Sequence, residues 1–252
     1  MAQPQRVIVV GGVAAGMSAA SQVRRRQPQA KVTVVERGDT FSIAACGLPY
    51  LLSGDVESLD ALRRTGDGML RDEAYFRDVK GVTVLSRTTA SAIDATSRRL
   101  AVVNADGTPG EVEWDDLVLA TGASPLRLPG QPEHPRVHAL HSAGDATAIY
   151  RQLAAGKLSH VVVVGAGLVG IEMAEAFRAL WGSRVTLVEA APAPLPGVVD
   201  EEVGRAVGSA LRTITSTCSR NRCWLDFIRF SNSSLSWART TPYRWNSTRK
   251  VV

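Results

Sequence analysis

The amino-acid sequence predicts an α/β fold in which one strand–turn–helix–strand unit occurs twice. The first copy begins with the valine-rich run RVIVV, continues through GGVAAG and the helical stretch MSAASQVRRR, and returns as KVTVVE. The second copy repeats this order with HVVVV, GAGLVG, IEMAEAFRAL and RVTLVE. Apolar runs of this kind are typical of strands buried on both faces of a parallel sheet, and the helix between them is the usual crossover connection.

The segment between the two copies predicts a different architecture. Residues 81–121 alternate short β-branched runs with turn signals, which predicts an antiparallel excursion followed by a core strand that ends at Thr121. A proline-rich stretch follows, so we place a domain boundary near residue 150. The first domain therefore spans residues 1–150, and residues 151–212 form only part of a second one.

Residues 213–252 have a different composition from the rest of the chain. They contain no glycine, no glutamate and thirteen serines or threonines, and no period of 2 or 3.6 persists among them. This change in composition begins where a third strand of the second copy is expected. We predict an aberrant tail of low order here, produced by translation out of frame or by fusion to foreign sequence.

The location of charge argues against nucleic acid as a partner. The formal net charge is +5, but residues 213–252 hold seven of the 29 basic residues and one of the 24 acidic residues. The remainder carries 22 basic and 23 acidic side chains, so the basic excess belongs to the tail alone. No apolar run approaches the roughly 18 residues of a membrane span, so we expect no membrane insertion.

The cysteines and histidines predict neither disulfides nor a metal site. The three cysteines, Cys46, Cys218 and Cys223, form an odd set in a long chain, which argues against a secreted disulfide framework. The start of the chain also lacks a signal peptide pattern. The four histidines lack ligand spacing, and no metal ligands are predicted. These observations favour a cytoplasmic protein.

The first glycine turn predicts a dinucleotide site. Gly11 and Gly16 bracket a tight turn at a helix N-terminus, where free N–H groups and the helix dipole favour a pyrophosphate. Val13 stands where the second glycine of the G-x-G-x-x-G pattern usually lies. Glu36 ends the second strand at the spacing of a carboxylate that accepts ribose hydroxyls. The candidate cofactor-binding residues of this copy are Gly11, Gly12, Ala14, Ala15, Gly16, Glu36 and Arg37.

The second glycine turn follows the pattern more closely. Its candidate cofactor-binding residues are Gly165, Gly167, Gly170, Glu172 and Glu189. A carboxylate at the position of Glu189 hydrogen-bonds a ribose 2′-hydroxyl and repels a 2′-phosphate, so NADH is expected in preference to NADPH. Two sites in one chain suggest a flavin in the first and a nicotinamide cofactor in the second. Cys46 is then the candidate electron acceptor upstream of the tail.

Four stretches carry a family resemblance: VVGGVAAGMSAASQVRR, SIAACGLPY, LVLATGASPLRLPG and VVVVGAGLVGIEMAEAF. Together they resemble the single-cysteine branch of the FAD-dependent pyridine nucleotide-disulfide oxidoreductases, most closely coenzyme A-disulfide reductases, with NADH oxidases as near relatives. The resemblance implies Rossmann-like units of the FAD/NAD(P)-binding type, the second incomplete. It also implies that Cys46 is catalytic and that Thr121 and Gly122, in the ATGAS turn, lie near the flavin. Because Tyr50 stands where a second cysteine lies in two-cysteine relatives, Cys46 would form a mixed disulfide or a sulfenate.

The resemblance further implies a set of coenzyme A contacts. They are Ser18, Gln22 and Arg25 on the first helix, Ser42 near the cysteine, and Lys80 before GVTV. Cationic Arg25 and Lys80 suit phosphate groups, although Arg25 also suits a solvated helix end. Ala45 replaces the asparagine that often precedes the cysteine in the reductases. The alternative acceptor is dioxygen or peroxide, reduced through a Cys46 sulfenate.

The resemblance also raises the hypothesis of a chain that is not an enzyme. It implies a later Gly-Asp segment that completes the FAD site and a C-terminal dimerisation domain in a homodimeric parent. Neither is visible in this sequence. The alternative of another class is therefore an inactive, truncated fragment that binds nucleotides.

Overall fold

The computed structural model describes residues 3–128, 130–131, 133–156, 158–213 and 215–219. The chain divides into two compact units. Unit 1 comprises Met1–Leu158 with Ala179–Trp181, and unit 2 comprises Ser159–Arg178 with Gly182–Val252. Each unit contains one of the two strand–turn–helix–strand copies.

Unit 1 is built around a parallel sheet and a separate antiparallel sheet. The parallel sheet has the order β3-β2-β1-β7, and the antiparallel sheet has the order β4-β5-β6. A 3₁₀ turn, Ala45–Gly47, precedes α2, and a π-helical segment, Phe76–Lys80, continues α3. In chain order the elements are β1 (Arg6–Val10), α1 (Ala14–Arg26), β2 (Lys31–Val35), α2 (Leu48–Leu52), α3 (Glu73–Tyr75), β3 (Val82–Leu85), β4 (Thr89–Asp94), β5 (Arg99–Val103), β6 (Pro109–Glu113), β7 (Asp116–Leu119) and α4 (Ala143–Ala154).

The central strand β1 is apolar on both faces because each face is covered. Val7 and Val9 pack with Met17 and Ala20 of α1 in one core cluster. On the other face, Ile8 packs in a cluster that β5 supplies with leucine and valine. Burying each of these aliphatic side chains stabilises the fold by roughly 1.5 to 3 kcal/mol. This two-sided burial fixes the carboxyl end of β1, from which the glycine turn leads into α1.

Unit 2 contains a three-stranded parallel sheet with the order β10-β9-β8. Its small core cluster centres on Ala166, Leu187 and Leu211. The Asp200 side chain accepts a hydrogen bond from the Val203 N–H and so caps the last helix. The elements are β8 (His160–Val164), α5 (Leu168–Ala179), β9 (Arg184–Glu189), α6 (Glu201–Leu211) and β10 (Ser216–Ser219).

The start of the tail departs from the low order that the sequence predicts. Ser216–Ser219 forms β10, which pairs in parallel with β9 from Thr186 to Glu189. Backbone pairing to an existing strand supplies hydrogen bonds without requiring a side-chain period, which explains why periodicity gave no sign of it. The prediction for residues 220–252 lies outside the described residues. Among the described helices, none is both long enough and apolar enough to cross a membrane.

Candidate active site

The glycine turn after β1 brings three backbone segments into close contact. Gly11 has φ +108°, and a Cβ there would lie 2.1 Å from the Ala120 carbonyl oxygen. A Cβ on Gly16 would lie 1.8 Å from the Gly11 carbonyl oxygen. Since real Cβ atoms do not tolerate such distances, only glycine fits at both positions. Val13, in contrast, is exposed and forms the N-cap of α1, so the turn closes without a glycine there.

The N-terminus of α1 is open to an anion. Its N-cap, Val13, makes no side-chain capping hydrogen bond, and the first turn contains no acidic residue. The first-turn N–H groups at Ala14, Ala15 and Gly16 therefore lack a capping side chain, and the dipole of a 13-residue helix adds partial positive charge. This arrangement fits the pyrophosphate of a dinucleotide, which supports the predicted positions of these residues.

Glu36 is held beside the glycine turn by the backbone. Its two carboxylate oxygens accept hydrogen bonds from the Gly12 N–H at 2.6 Å and the Gly38 N–H at 2.7 Å. The side chain is buried. Each oxygen keeps a further lone pair, so the carboxylate remains able to accept ribose hydroxyls. The neighbouring Arg37 is exposed and makes no hydrogen bond to the described part of the chain.

The ATG turn lies next to the same glycine. The Ala120 N–H donates to the Val10 carbonyl at 2.8 Å, so the chain after β7 runs beside Gly11. Thr121 and Gly122 follow in exposed backbone, and Gly122 adopts φ +70°. The structure therefore brings Thr121 close to the glycine turn of unit 1. We call this turn, with the N-terminus of α1 and Glu36, the first cradle. The sequence gave Thr121 no local pattern beyond the end of a strand.

Unit 2 repeats the cradle with nearly the same geometry. A Cβ on Gly170 would lie 1.9 Å from the Gly165 carbonyl oxygen, and Gly165 has φ +99°. The Glu189 oxygens accept hydrogen bonds from the Ala166 N–H at 2.7 Å and the Ala191 N–H at 2.8 Å. The remaining two predicted residues lie on either side of the start of α5: the Gly167 carbonyl accepts from the Ile171 N–H, and Glu172 is half-buried in the helix.

Cys46 lies exposed in the 3₁₀ turn that precedes α2. The chain reaches it through Ser42, whose φ of +53° is unusual for a residue other than glycine and whose N–H donates to the Gly12 carbonyl at 2.7 Å. Gly47 follows, and a Cβ there would lie 2.3 Å from Leu62 Cδ2. Pro49 opens α2, where a missing N–H costs nothing. The cysteine is thus presented at the surface by a backbone that is constrained on both sides.

A cavity of about 960 Å³ in unit 1 lies against α1 and the segment that leads to Cys46. All five predicted substrate contacts line it: Ser18, Gln22, Arg25, Ser42 and Lys80. The wall ends at Ala44, two residues before Cys46, which is not itself a lining residue. The structure therefore groups these five side chains, although the first and last, Ser18 and Lys80, are 62 positions apart in the sequence.

Among the described residues, those that line the cavity include five cations and no acidic side chain. The basic lining residues are Arg24, Arg25, Arg64, Arg71 and Lys80. Lys80 Nζ lies 5.4 Å from the centre of the Tyr75 ring. Outside the lining, the pKa of Asp67 is lowered by a hydrogen bond with Thr65 and, to a smaller degree, by Lys80. A cavity with this charge favours an anionic ligand.

Sequence reasoning missed Arg24, Arg64 and Arg71. Arg24 Nη1 donates to the Ala30 carbonyl at 2.9 Å, while Gly81, which has φ +63°, leaves room for its guanidinium. Arg64 and Arg71 belong to an irregular segment without a strand or helix period. Only the RRR run that contains Arg24 offered a sequence signal, and a basic helix end explains such a run without a site.

Units 1 and 2 each contain a glycine turn of the dinucleotide-binding type with a carboxylate held beside it, and Cys46 of unit 1 is an exposed thiol. Residues 5–214 match the family model described as pyridine nucleotide-disulphide oxidoreductase, and the chain belongs to this family. Its homologues and structural neighbours are FAD- and NAD(P)H-dependent oxidoreductases. The resemblance inferred from sequence and the predicted fold class are therefore confirmed.

Three similar proteins illustrate the range of the family. An NADH oxidase of Methanocaldococcus jannaschii is 30% identical over 203 residues, covering 80% of this chain and 44% of its own length. A coenzyme A disulfide reductase of Staphylococcus haemolyticus is 32% identical over 186 residues, covering 73% and 40%. The solved NAD-dependent persulfide reductase of A. fulgidus has a TM-score of 0.80 at 37% identity, covering 85% and 40%. The chain thus spans less than half the length of these relatives.

Proposed function

We propose that this chain carries the FAD cradle, the reactive cysteine and part of the NAD(P)H cradle of an oxidoreductase that reduces coenzyme A disulfide or a related small disulfide. The observation that supports this most directly is the cationic cavity beside Cys46. Arg25 and Lys80 are both exposed there and make no ion pair with the described residues. Phosphate groups are the anions that such unpaired cations recognise most readily.

The residues of each cradle fit their predicted cofactor. In unit 1, Gly11, Gly12 and Gly16 allow the tight turn that ends at the N-terminus of α1, whose N–H groups suit a pyrophosphate, and Glu36 keeps lone pairs for ribose hydroxyls. Bound FAD supplies the two-electron chemistry that links NAD(P)H oxidation to disulfide reduction. In unit 2, Glu189 has the same backbone anchors, and its charge disfavours a 2′-phosphate, so we propose NADH as the preferred reductant.

Cys46 performs the thiol–disulfide exchange in this proposal. Its thiolate attacks one sulfur of coenzyme A disulfide, a Cys46–coenzyme A mixed disulfide forms, the original S–S bond breaks, and one coenzyme A leaves as a thiolate. The phosphates of the bound half lie against Arg25 and Lys80. Two electrons and a proton then release the second coenzyme A and regenerate the Cys46 thiolate.

A second candidate function is oxidation of NADH by dioxygen or peroxide through a Cys46 sulfenate. Ala45 in place of the asparagine favours it, and so does the similarity to the Methanocaldococcus oxidase. In this case the cationic cavity would not change the rate, because the oxidant carries no phosphate. A third outcome, nucleotide binding without turnover, would leave Cys46 with the slow exchange of an ordinary exposed thiol and no preference for coenzyme A disulfide.

The rate of exchange between reduced Cys46 and coenzyme A disulfide tests the proposal. Arg25→Ala removes a lining cation, while Arg26→Ala removes the neighbouring exposed cation that does not line the cavity. We expect Arg25→Ala to lower the rate constant about tenfold, the equivalent of one charge-assisted hydrogen bond, and Arg26→Ala to leave it unchanged. Equal rates in both variants, or a Cys46→Ser chain that reacts as fast as the parent chain, would contradict the proposal.

A further inference from the structure

One wall of the cavity is a short hairpin formed by residues 63–71, which we name the wall hairpin. The Arg71 N–H donates to the Arg63 carbonyl at 2.9 Å, and the Thr65 N–H donates to the Met69 carbonyl at 2.9 Å. Gly68, with φ +88°, turns the chain. The hairpin contributes Arg64, Thr65, Gly66 and Arg71 to the cavity lining. A segment that the sequence left without structure therefore has defined backbone pairing.

Arg71 fixes the base of the wall hairpin through its side chain. Its Nε donates to the Arg63 carbonyl at 3.0 Å, and its Nη2 donates to the Leu62 carbonyl at 3.0 Å. The planar guanidinium thus bridges two successive carbonyls, which a lysine ammonium does not reproduce. Its Nη1 has no hydrogen-bond partner in the part of the chain that the structure describes, although Arg71 lines the cavity. That nitrogen remains available to an anion.

Leu62 connects Arg71 to both flanks of the cysteine. Its carbonyl oxygen accepts the Arg71 hydrogen bond and also the Ala44 N–H at 3.0 Å. Its buried side chain lies where a Cβ on Gly47 would be. The residues two before and one after Cys46 therefore rest on the same leucine. A displacement of Leu62 would move the cysteine turn at both ends.

We propose that Arg71 is a positioning residue that links the cavity to Cys46 through Leu62. In this proposal, which rests on the proposed function, an anionic group of the disulfide binds Nη1 while Nε and Nη2 hold the Leu62–Arg63 carbonyls. Substrate binding and the orientation of the thiolate are thereby coupled in one guanidinium. Arg71 need not touch the reacting sulfurs, because it acts through the Leu62 carbonyl and the Ala44 N–H.

Two disulfides separate positioning from charge recognition. With the adduct on Cys46 followed by peptide mass mapping, coenzyme A disulfide reports both, whereas dipyridyl disulfide, which is uncharged near neutral pH, reports only the reactivity of this thiol. We expect Arg71→Lys to slow Cys46 about tenfold towards both reagents, because it keeps the charge and loses the bridge. The matched variant is Arg77→Lys: Arg77 lies outside the cavity lining and pairs with Asp78 at the surface. Arg77→Lys should leave the rate with dipyridyl disulfide unchanged.

Chemical rescue distinguishes positioning from a general loss of folding. In Arg71→Ala, millimolar methylguanidinium should restore much of the rate with dipyridyl disulfide, and methylammonium should not, since only the former spans two carbonyls. Failure of rescue in a variant with normal circular dichroism, or a normal dipyridyl disulfide rate in Arg71→Lys, would overturn the positioning role. If instead Arg71→Lys slows dipyridyl disulfide but Arg25→Ala leaves coenzyme A disulfide unaffected, the positioning role stands and the proposed substrate falls.

Discussion

Units 1 and 2 contain the same cradle in different surroundings. The Gly11 N–H donates to the Val35 carbonyl at 2.9 Å, and the Gly165 N–H donates to the Val188 carbonyl at 2.8 Å. The strands that precede these glycines differ: β1 has neighbours on both sides, whereas β8 pairs only with β9 within the described residues. The cradle geometry therefore depends on the local strand–turn–helix sequence and not on a completed sheet.

The burial of each strand depends on its neighbours in the sheet and not on the glycine motif that follows it. Val10, at the end of β1, is 9% exposed, while Val164, at the equivalent end of β8, is 48% exposed. The interior of β1 is buried, and that of β8 is half-buried, although both are runs of aliphatic residues. An open, apolar strand edge is a site for pairing with another strand. The geometry of a cofactor cradle and the burial of the strand that precedes it are therefore separable properties of this sequence.

The largest expected difference between the two units comes from the first glycine of each turn. Gly11→Ala combines a positive φ, which costs about 1 to 2 kcal/mol, with a contact to Ala120, which adds roughly 1 to 3 kcal/mol. Gly165→Ala has the same strain, but nothing lies within 4 Å of its Cβ. We expect Gly11→Ala to lower the free energy of unfolding of its unit by the larger amount. Hydrogen exchange in β1 and β8 measures the stability of each unit separately. Equal losses of stability in the two units would contradict this expectation.

The carboxylates provide the next test. In Glu36→Gln and Glu189→Gln the side-chain amide accepts only one of the two N–H bonds, which costs about 1 to 3 kcal/mol for the donor left unpaired. Both cradles should weaken by similar amounts, because their hydrogen bonds match within 0.1 Å. Glu189→Gln should also raise the ratio of NADPH to NADH affinity about tenfold, roughly one ion-pair contribution. Calorimetry with both nucleotides checks this, and an unchanged ratio would remove Glu189 from cofactor selection.

The smallest expected difference is in pH dependence. In unit 2, burial and, to a smaller degree, the Arg184 charge lower the pKa of His160 below its ordinary 6.5. As the pH falls, His160 therefore takes up its proton at a higher pH in the unfolded chain than in the folded chain. Unit 2 should lose stability as the pH falls below about 6.5. In unit 1, hydrogen bonds from Arg6 lower the pKa of Asp115 from 3.8 to about 2. The stabilisation from this pair is present above pH 3.8 and is lost as the pH falls towards 2.

Two substitutions test these pH windows individually. His160→Gln should flatten the stability of unit 2 between pH 7 and pH 5 without affecting unit 1. Asp115→Asn should flatten that of unit 1 below about pH 4 and leave unit 2 unchanged. Hydrogen exchange at several pH values resolves both. A single acid transition shared by the two units, unmoved by either substitution, would contradict the separate windows.

The cradles were readable from the sequence because their requirements are local. Gly11 and Gly16 are needed for a positive φ and a close backbone approach within six residues, and Glu36 follows at a fixed distance along one βαβ unit. Ser18, Gln22 and Arg25 share one face of α1 because they are spaced four and three residues apart. Their role, like that of Ser42 and Lys80, came only from the resemblance to a family, and no spacing rule joins the last two to α1.

The wall hairpin could not be read in the same way. Arg71 owes its role to two carbonyls, and Leu62 owes its role to the absence of a side chain on Gly47. Neither feature produces a period, a cap or a motif. Strand β10 was missed for a related reason, because it is defined by backbone pairing with β9, which leaves no period in the sequence. What sequence reasoning lacked was tertiary contact between irregular segments.

The most direct test of the central claim is to locate the adduct formed when the reduced chain meets one equivalent of coenzyme A disulfide. The account predicts one coenzyme A per chain, found by peptide mass mapping on Cys46, with little on Cys218 or Cys223. Adding salt should slow its formation, because the cavity acts through charge. An adduct distributed equally over the three cysteines, or none on Cys46, would show that the cationic cavity of unit 1 does not serve this thiol.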